Sequence, residues 1–329
     1  MKFSRYMYEW LYGDEGYYRD FRDIGREGDF YTAVSTSRFF GAAIAENFMK
    51  ILESGRASRD GMIVEIGAHK GYLLADMIEW IYQRDPSLIG SLRFAVIERM
   101  PQLRKVQRDY FKERFGAEVE IEHFSSPQDL SADYIYFVSN EIFDAFECEL
   151  YYEGKMAYIE GEAVVWREAE EWLETFASSH SLKRGEIAVG YEEFARAISK
   201  TAPVIDFVTF DYGEKYVRND FSIRVYKGHE TLPFFDEELK LSELFKKSDI
   251  TYDVNFAHLC EAFAKAGMQE RIYETQARAL IRFGIIDILQ EYAGVTSYRN
   301  YLKQAERIKT LIAPTIMGDR FKMLWVSKA

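Results

Sequence analysis

The residues best suited to chemistry stand at the ends of apolar runs. Ile63-Val64-Glu65-Ile66 leads into Gly67-Ala68-His69-Lys70-Gly71 and then at once into Tyr72-Leu73-Leu74. That order predicts a strand, a glycine-bounded turn and an amphipathic helix. Such a turn lets backbone approach a ligand closely and aims helix N–H groups at it. A second run, Phe94-Ala95-Val96-Ile97, ends in Glu98. A carboxylate there can accept hydrogen bonds from a ribose diol, as in dinucleotide folds. Together they predict a nucleoside-bearing cofactor on an open α/β sheet. The plain alternatives are a structural turn at Gly67–Gly71 and a solvent-facing strand end at Glu98. Glu65, inside the strand, is costly to bury unpaired and needs a donor from the protein or from a ligand ammonium.

Ser139-Asn140-Glu141-Ile142-Phe143-Asp144-Ala145-Phe146 follows a predicted strand, Tyr134–Val138. Polar residues at the carboxyl end of a parallel strand line the ligand crevice. Asn140 offers an amide donor and acceptor; Glu141 and Asp144 would share one face of a helical turn. An ordinary helix N-cap with acids favouring the helix dipole is the alternative. Gly25-Arg26-Glu27-Gly28-Asp29-Phe30-Tyr31-Thr32 combines two glycines, an acid and a hydroxyl, and reads as a lid or as a surface loop. Asp211-Tyr212-Gly213, then Arg224, Tyr226 and His229, then Asp249 to Asn255 are either substrate-side groups or caps and solvated loops. The five histidines are scattered, with no paired metal spacing, and no metal site is expected. Neither a G-x-S-x-G elbow nor a phosphate-binding G-x-x-x-x-G-K-[ST] is present.

The elements that must position these residues alternate. Strands at 61–67, 92–97, 118–121 and 134–138 are separated by helices at 72–83 and 101–115, which predicts a doubly wound, mostly parallel Rossmann-like sheet. Ahead of it, residues 1–60 read as an N-terminal helical and lid segment, with Ser35 or Ser37 capping a helix to Leu52. The Rossmann-like core is expected over 61–150. Leu150 to Trp166 reads as β-hairpins, within an inserted subdomain over 151–200. The remainder, 201–329, completes the sheet around a helical insertion. Its helices are expected at 256–266, 274–293 and 297–313, and Phe321–Val326 as the last edge strand. With 48% hydrophobic residues, 25 Phe and 23 Tyr among 329 residues, a large core is available. The net charge of −12 argues against a nucleic-acid partner. Two cysteines, Cys148 and Cys260, form no Cys-x-x-Cys pair, and a reduced cytoplasm is expected. No signal-peptide pattern or membrane-spanning run is present.

Taken in order, these clusters resemble one family. It is the class I S-adenosylmethionine-dependent methyltransferase family that includes the MidA-like proteins and the mitochondrial complex I assembly factor 7 proteins. Gly16-Tyr17-Tyr18, the Arg26–Ala33 stretch and Phe39-Phe40-Gly41 are similar to its N-terminus. Glu65-Ile66-Gly67-Ala68-His69-Lys70-Gly71 with Leu73 and Asp76 resembles its cofactor loop, E-L-G-P-G-R-G-T-L-x-x-D. Glu98 with Pro101, Leu103, Arg104 and Gln107 resembles the second-strand motif. Asn140-Glu141-Ile142-Phe143-Asp144-Ala145 looks like its N-E-F-F-D-A, and Asp211-Tyr212-Gly213, Arg224 with Tyr226 and His229, Asp249-Ile250-Thr251 and Phe321-Lys322-Met323-Leu324 continue the match. The sequence departs from the pattern at several positions. His69 replaces the middle glycine of the loop, Ala68 its proline, Asp253 and Asn255 a histidine and an aspartate, and Glu147 the proline expected after Ala145-Phe146.

The resemblance implies methyl transfer from S-adenosylmethionine to an arginine of a protein, with symmetric dimethylation of a respiratory complex I subunit as the family's eukaryotic activity. It assigns the methionine end of the cofactor to Glu65, Gly67 and Gly71 with His69 in the same loop, and the ribose to Glu98. Asn140 would orient either ligand, and Asp29 and Thr32 would close a lid. Carboxylates must orient the acceptor guanidinium and take its proton; Glu141 and Asp144 are the candidates, with Asp211 third. A weakly catalytic assembly scaffold and a small-molecule methyltransferase are the competing functions. A homodimer is compatible with the exposed aromatics expected in the insertions.

Overall fold

The computed structural model describes residues 1–19, 32–227 and 230–329. They fall into two compact units. One comprises Tyr31–Ile142, Phe194–Asp211 and Ala262–Ala329; the other comprises Met1–Phe30, Phe143–Glu193 and Tyr212–Glu261.

The first unit is built on a sheet in the order Gln269–Thr275, Phe321–Lys328, Val204–Glu214, Tyr134–Asn140, Met62–Ile66, Arg93–Ile97, Ile121–Phe124. The residues of Val204–Glu214 up to Asp211 belong to this unit. From Val204–Glu214 to Ile121–Phe124 every pairing is parallel, and Ile66 lies level with Ile97 on one side and Ser139 on the other. Met62–Ile66 is buried at all five positions. A strand covered on both faces needs no polar alternation, which is why it reads as a continuous apolar run. Helices Phe39–Glu53, Tyr72–Arg84 and Pro101–Phe115 belong to the same unit. This is the doubly wound, mostly parallel α/β sheet that the alternation predicted. The order reverses between Met62–Ile66 and Tyr134–Asn140, and ligands of such sheets bind outside the carboxyl ends at that point.

Several local expectations are corrected. Phe321–Lys328 is not an edge strand; it lies inside the sheet, with Phe321, Met323, Leu324 and Val326 buried. The edge is Gln269–Thr275, antiparallel to it. Its Gln-Glu-Arg-Ile-Tyr-Glu-Thr sequence hides the strand, because exposed edges carry charge rather than an apolar period. The helix expected over 274–293 begins at Gln276 and stops at Phe283, where Gly284 turns left-handed at φ 100° before Ile285–Val295 starts. The helix expected from Ser35 or Ser37 to Leu52 is split in two: Thr32 caps Ala33–Thr36 with Ser35 as its capping-box partner, and Phe39–Glu53 follows Arg38, with Ser37 Oγ accepting from the Phe39 N–H at 3.3 Å.

The second unit holds the expected hairpins. Ala163–Glu168, Lys155–Glu160, Cys148–Tyr152 and Arg184–Ala188 pair antiparallel in that order. Beneath them Tyr151, Met156, Leu173, Ala177, Leu182 and Ile187 form one apolar cluster. Helix Phe3–Leu11 buries Phe3, Tyr6, Met7, Trp10 and Leu11. Tyr6 stacks on Phe245, and the Trp10 indole donates to the Ser248 carbonyl at 2.6 Å. Glu230–Pro233, Arg224–Lys227 and Asp249–Thr251 make a small antiparallel sheet.

At the amino ends of the parallel strands Asp206, fully buried, accepts from the Arg56 guanidinium at 2.8 Å, the Trp325 indole at 2.9 Å and the Tyr134 hydroxyl at 3.1 Å. Removing the acceptor strands three donors, one of them charged. Asp206→Ala is therefore expected to lose about 3–5 kcal/mol of stability, read by urea denaturation; a loss below about 1 kcal/mol would show that the network is not a structural anchor.

Candidate active site

The crevice of the first unit is built by backbone. Gly67 has φ 71°, His69 φ 46° and Gly71 φ 87°. The Gly67 N–H donates to the Ile97 carbonyl at 3.1 Å and the Gly71 N–H closes the turn onto the Ala68 carbonyl at 2.6 Å. Gly67 itself is exposed. A Cβ on Gly67 would stand 2.9 Å from the Ile142 side chain, and one on Gly71 would stand 2.6 Å from the Phe111 ring. Both positions therefore exclude a side chain by conformation and by space. His69, which replaces the family's glycine, keeps the left-handed backbone and is half-buried.

Glu65 has found a protein donor. Its Oε2 accepts from the Leu74 N–H at 3.0 Å, in the first turn of Tyr72–Arg84. That helix has no side-chain cap of its own, so the strand carboxylate satisfies one of its orphan donors. Glu65 thus braces the turn from behind. Burial pushes it up to about 8, against the pull of the Leu74 N–H.

Glu98, buried at the end of Arg93–Ile97, accepts from the Met100 N–H at 2.9 Å. Its other oxygen faces the Gln107 amide at 3.5 Å. Burial raises its pKa, opposed by those two hydrogen bonds and by Arg99 and Arg104. On the far side of the glycine turn Asn140 donates to the Glu141 carboxylate at 2.7 Å. Asn140 Oδ1 is buried with no partner among the described residues. Glu141 also has a left-handed backbone, φ 54°, and residues 141–147 form no helix. The expected helical turn sharing Glu141 and Asp144 on one face is therefore corrected to an irregular turn. Asp211 is fully buried on its strand. Thr32 is engaged as a helix cap. Asp29 and His229 lie outside the described residues. Among the described residues no His, Cys, Asp and Glu cluster could hold a metal ion.

Asp144 belongs to a buried polar cluster of the second unit. The Tyr212 hydroxyl donates to Asp144 Oδ2 and lies 2.6 Å from Thr251 Oγ1. Burial pushes Asp144 up to about 6, against the Tyr212 hydrogen bond and the Arg224 charge. The Arg224 guanidinium lies over the Tyr212 ring and donates to Asp253 at 2.6 Å and to the Tyr226 hydroxyl at 2.8 Å. Burial works against its charge, but Tyr212, Asp253 and Tyr226 outweigh that and raise its pKa. Asp144 Oδ1 and Arg224 Nη2 are buried without partners among the described residues. Asp253, one of the departures from the family pattern, is thus the counter-ion of Arg224 and also pairs with Arg218. The sequence named Tyr212 and Gln107 only as members of longer motifs; in the structure Tyr212 meets Asp144 and Thr251, and Gln107 meets the His69 carbonyl and Glu98.

The residues fit a nucleoside cofactor: an open glycine turn at the switch point, a carboxylate at the neighbouring strand end, and an unpartnered amide oxygen on the other flank. That defines an α/β fold of the class I methyltransferase kind with its cofactor crevice. The family described as "Putative S-adenosyl-L-methionine-dependent methyltransferase" matches residues 42–273. The chain belongs to that family, and its cofactor is S-adenosylmethionine. A candidate methyl transferase from Burkholderia thailandensis, crystallised bound to S-adenosyl-homocysteine, is similar at 23% identity and a TM-score of 0.82, over 100% of this chain and 88% of that one. A second, native crystal structure from the same organism gives 23% identity and a TM-score of 0.80, over 100% and 87%. These likenesses concern the fold. No protein of curated function matches the chain significantly.

Two outcomes test this description of the crevice. Gly71→Ala, left-handed at φ 87° and against Phe111, is expected to lower the melting temperature more than Gly284→Ala, which is left-handed at φ 100° with nothing nearer than 3.6 Å to the added Cβ; equal effects would mean that the Phe111 contact is not tight. Glu65 has a folded pKa raised from 4.5 to about 8, so the stability linked to its protonation is complete below the unfolded value and lost as pH rises through the folded one. The wild type is therefore expected to lose stability across that window relative to Glu65→Gln in parallel thermal melts. Parallel pH profiles for the two proteins would contradict the burial of this carboxylate.

Proposed function

We propose that the protein methylates the side chain of an arginine in a partner protein, to the symmetric ω-N-dimethyl form, in the cytoplasm. A respiratory complex I subunit is the acceptor that the sequence resemblance suggests. The observation that carries the methyl-transfer reading is the open glycine turn with Glu98 on one flank and the unpartnered Asn140 Oδ1 on the other. The arginine reading rests on the sequence resemblance, in which Asn140-Glu141-Ile142-Phe143-Asp144-Ala145 supplies the candidate carboxylates.

In this reading Glu98 holds the ribose hydroxyls and the Gly67–Gly71 backbone receives the methionine end, with the His69 segment alongside. Glu65 keeps the turn in place. Asn140 fixes one oxygen of Glu141 and offers Oδ1 to the ligand. S-adenosylmethionine supplies, when bound, a sulfonium methyl group open to in-line displacement. A guanidinium is protonated in water, with a pKa above about 12. Glu141 orients it by charge-assisted hydrogen bonds, localises its charge on the far nitrogens and accepts the proton released on alkylation. Asp144 is proposed as a second substrate-side carboxylate. Asp211, wholly buried, serves as a positioning residue. Thr32 and Asp29 remain the proposed lid.

A second reading, an assembly scaffold with weak catalysis, draws on His69, whose side chain stands where the family has none. Titration calorimetry with S-adenosylmethionine and mass spectrometry of arginines in co-purifying proteins separate the two. Glu98→Ala is expected to weaken cofactor binding at least about tenfold. Glu141→Gln is expected to keep that affinity while lowering methyl transfer by about a hundredfold or more. Arginine methylation unchanged in a strain lacking the gene, together with partner binding by the purified protein, would favour the scaffold.

A further inference from the structure

Helix Pro101–Phe115 sends two side chains into the cofactor turn. Phe111 packs on Gly71. Gln107, one turn earlier and fully buried, has its Nε2 at 2.9 Å from the His69 carbonyl and 3.5 Å from Glu98 Oε2. Both neighbours are acceptors, so the reversed amide would set oxygen against a carbonyl and a carboxylate; the donor orientation follows from the chemistry. The consequence is that Gln107 Oε1 is buried with no partner among the described residues. A half-satisfied amide is an expensive way to fill space. His69, meanwhile, holds a left-handed backbone at φ 46°, which an L side chain adopts only where its surroundings hold it there.

We propose that Gln107 is a positioning residue that latches the His69 segment to the Glu98 carboxylate. The latch lets a turn with a side chain in place of glycine present the same backbone to the cofactor. This inference deepens the methyltransferase reading and rests on it. It joins the two ends of the ligand site, the methionine-side turn and the ribose-side carboxylate, through one amide.

The test is a double-variant cycle read by calorimetry with S-adenosylhomocysteine on the full chain. Gln107→Met keeps the length and packing of the side chain and removes both donors. It is expected to bind about tenfold more weakly than wild type. His69→Gly, which adopts a positive φ without strain, is expected to recover at least about threefold of that loss when combined with Gln107→Met. Affinity in Gln107→Met equal to wild type would overturn the latch, as would an equal loss with and without His69→Gly. If Gln107→Met does not fold, the isosteric Gln107→Glu carries the same cycle and is expected to lose more, since it sets a second carboxylate against Glu98. Failure of the wild type itself to bind would instead remove the methyltransferase reading and the latch with it.

Discussion

Six residues of left-handed and tightly bonded backbone, from Gly67 to Tyr72, govern the crevice unit. Three of them, Gly67, His69 and Gly71, hold positive φ. The turn can exist only because the strand before it is pinned on both sides, level with Ile97 and Ser139, and because Glu65 reaches forward to the Leu74 N–H. A buried carboxylate would ordinarily be a liability. Here it substitutes for a missing helix cap, and the sheet around it supplies the rigidity that lets backbone alone shape a ligand surface.

The same constraint explains which parts of the protein were legible from its residue order. Strands buried on both faces, such as Met62–Ile66 and Arg93–Ile97, announce themselves as apolar runs, and the glycines that follow them mark a turn that only backbone can make. Asn140 and Glu98 could be placed because they end such strands. The polar edge strand Gln269–Thr275 could not, since its first three residues are exposed and its one buried residue is Glu274, so it carries no apolar period. Phe321–Lys328 read as a strand, but its place inside the sheet depends on which strand pairs with which, and no local pattern encodes that. The turn at Glu141 defeated a helical reading because its φ of 54° is set by neighbouring strands. Gln107 was visible only as a motif position; its role lies in contacts nine and thirty-eight residues away along the chain.

The second unit carries a different kind of information. Asp144, Tyr212, Thr251, Arg224, Tyr226 and Asp253 form a continuous polar cluster within it, drawn from four separate stretches of chain. Burying an Arg beside two carboxylates is costly unless each charge is paired and hydrogen-bonded. Asp253 meets that requirement for Arg224, which is a physical reason for an aspartate at a position where the family has histidine. No helix among the described residues is long and apolar enough to cross a membrane.

The central claim is that a sulfonium nucleoside lies over the glycine turn with its sugar against Glu98. A crystal structure of the full chain soaked with S-adenosylhomocysteine tests it most directly. The expected result is density for both ribose hydroxyls within hydrogen-bond distance of the Glu98 carboxylate, with the amino-acid tail along Gly67. Density elsewhere on the protein, or none at a saturating ligand concentration with the His69 ring filling the crevice, would contradict it.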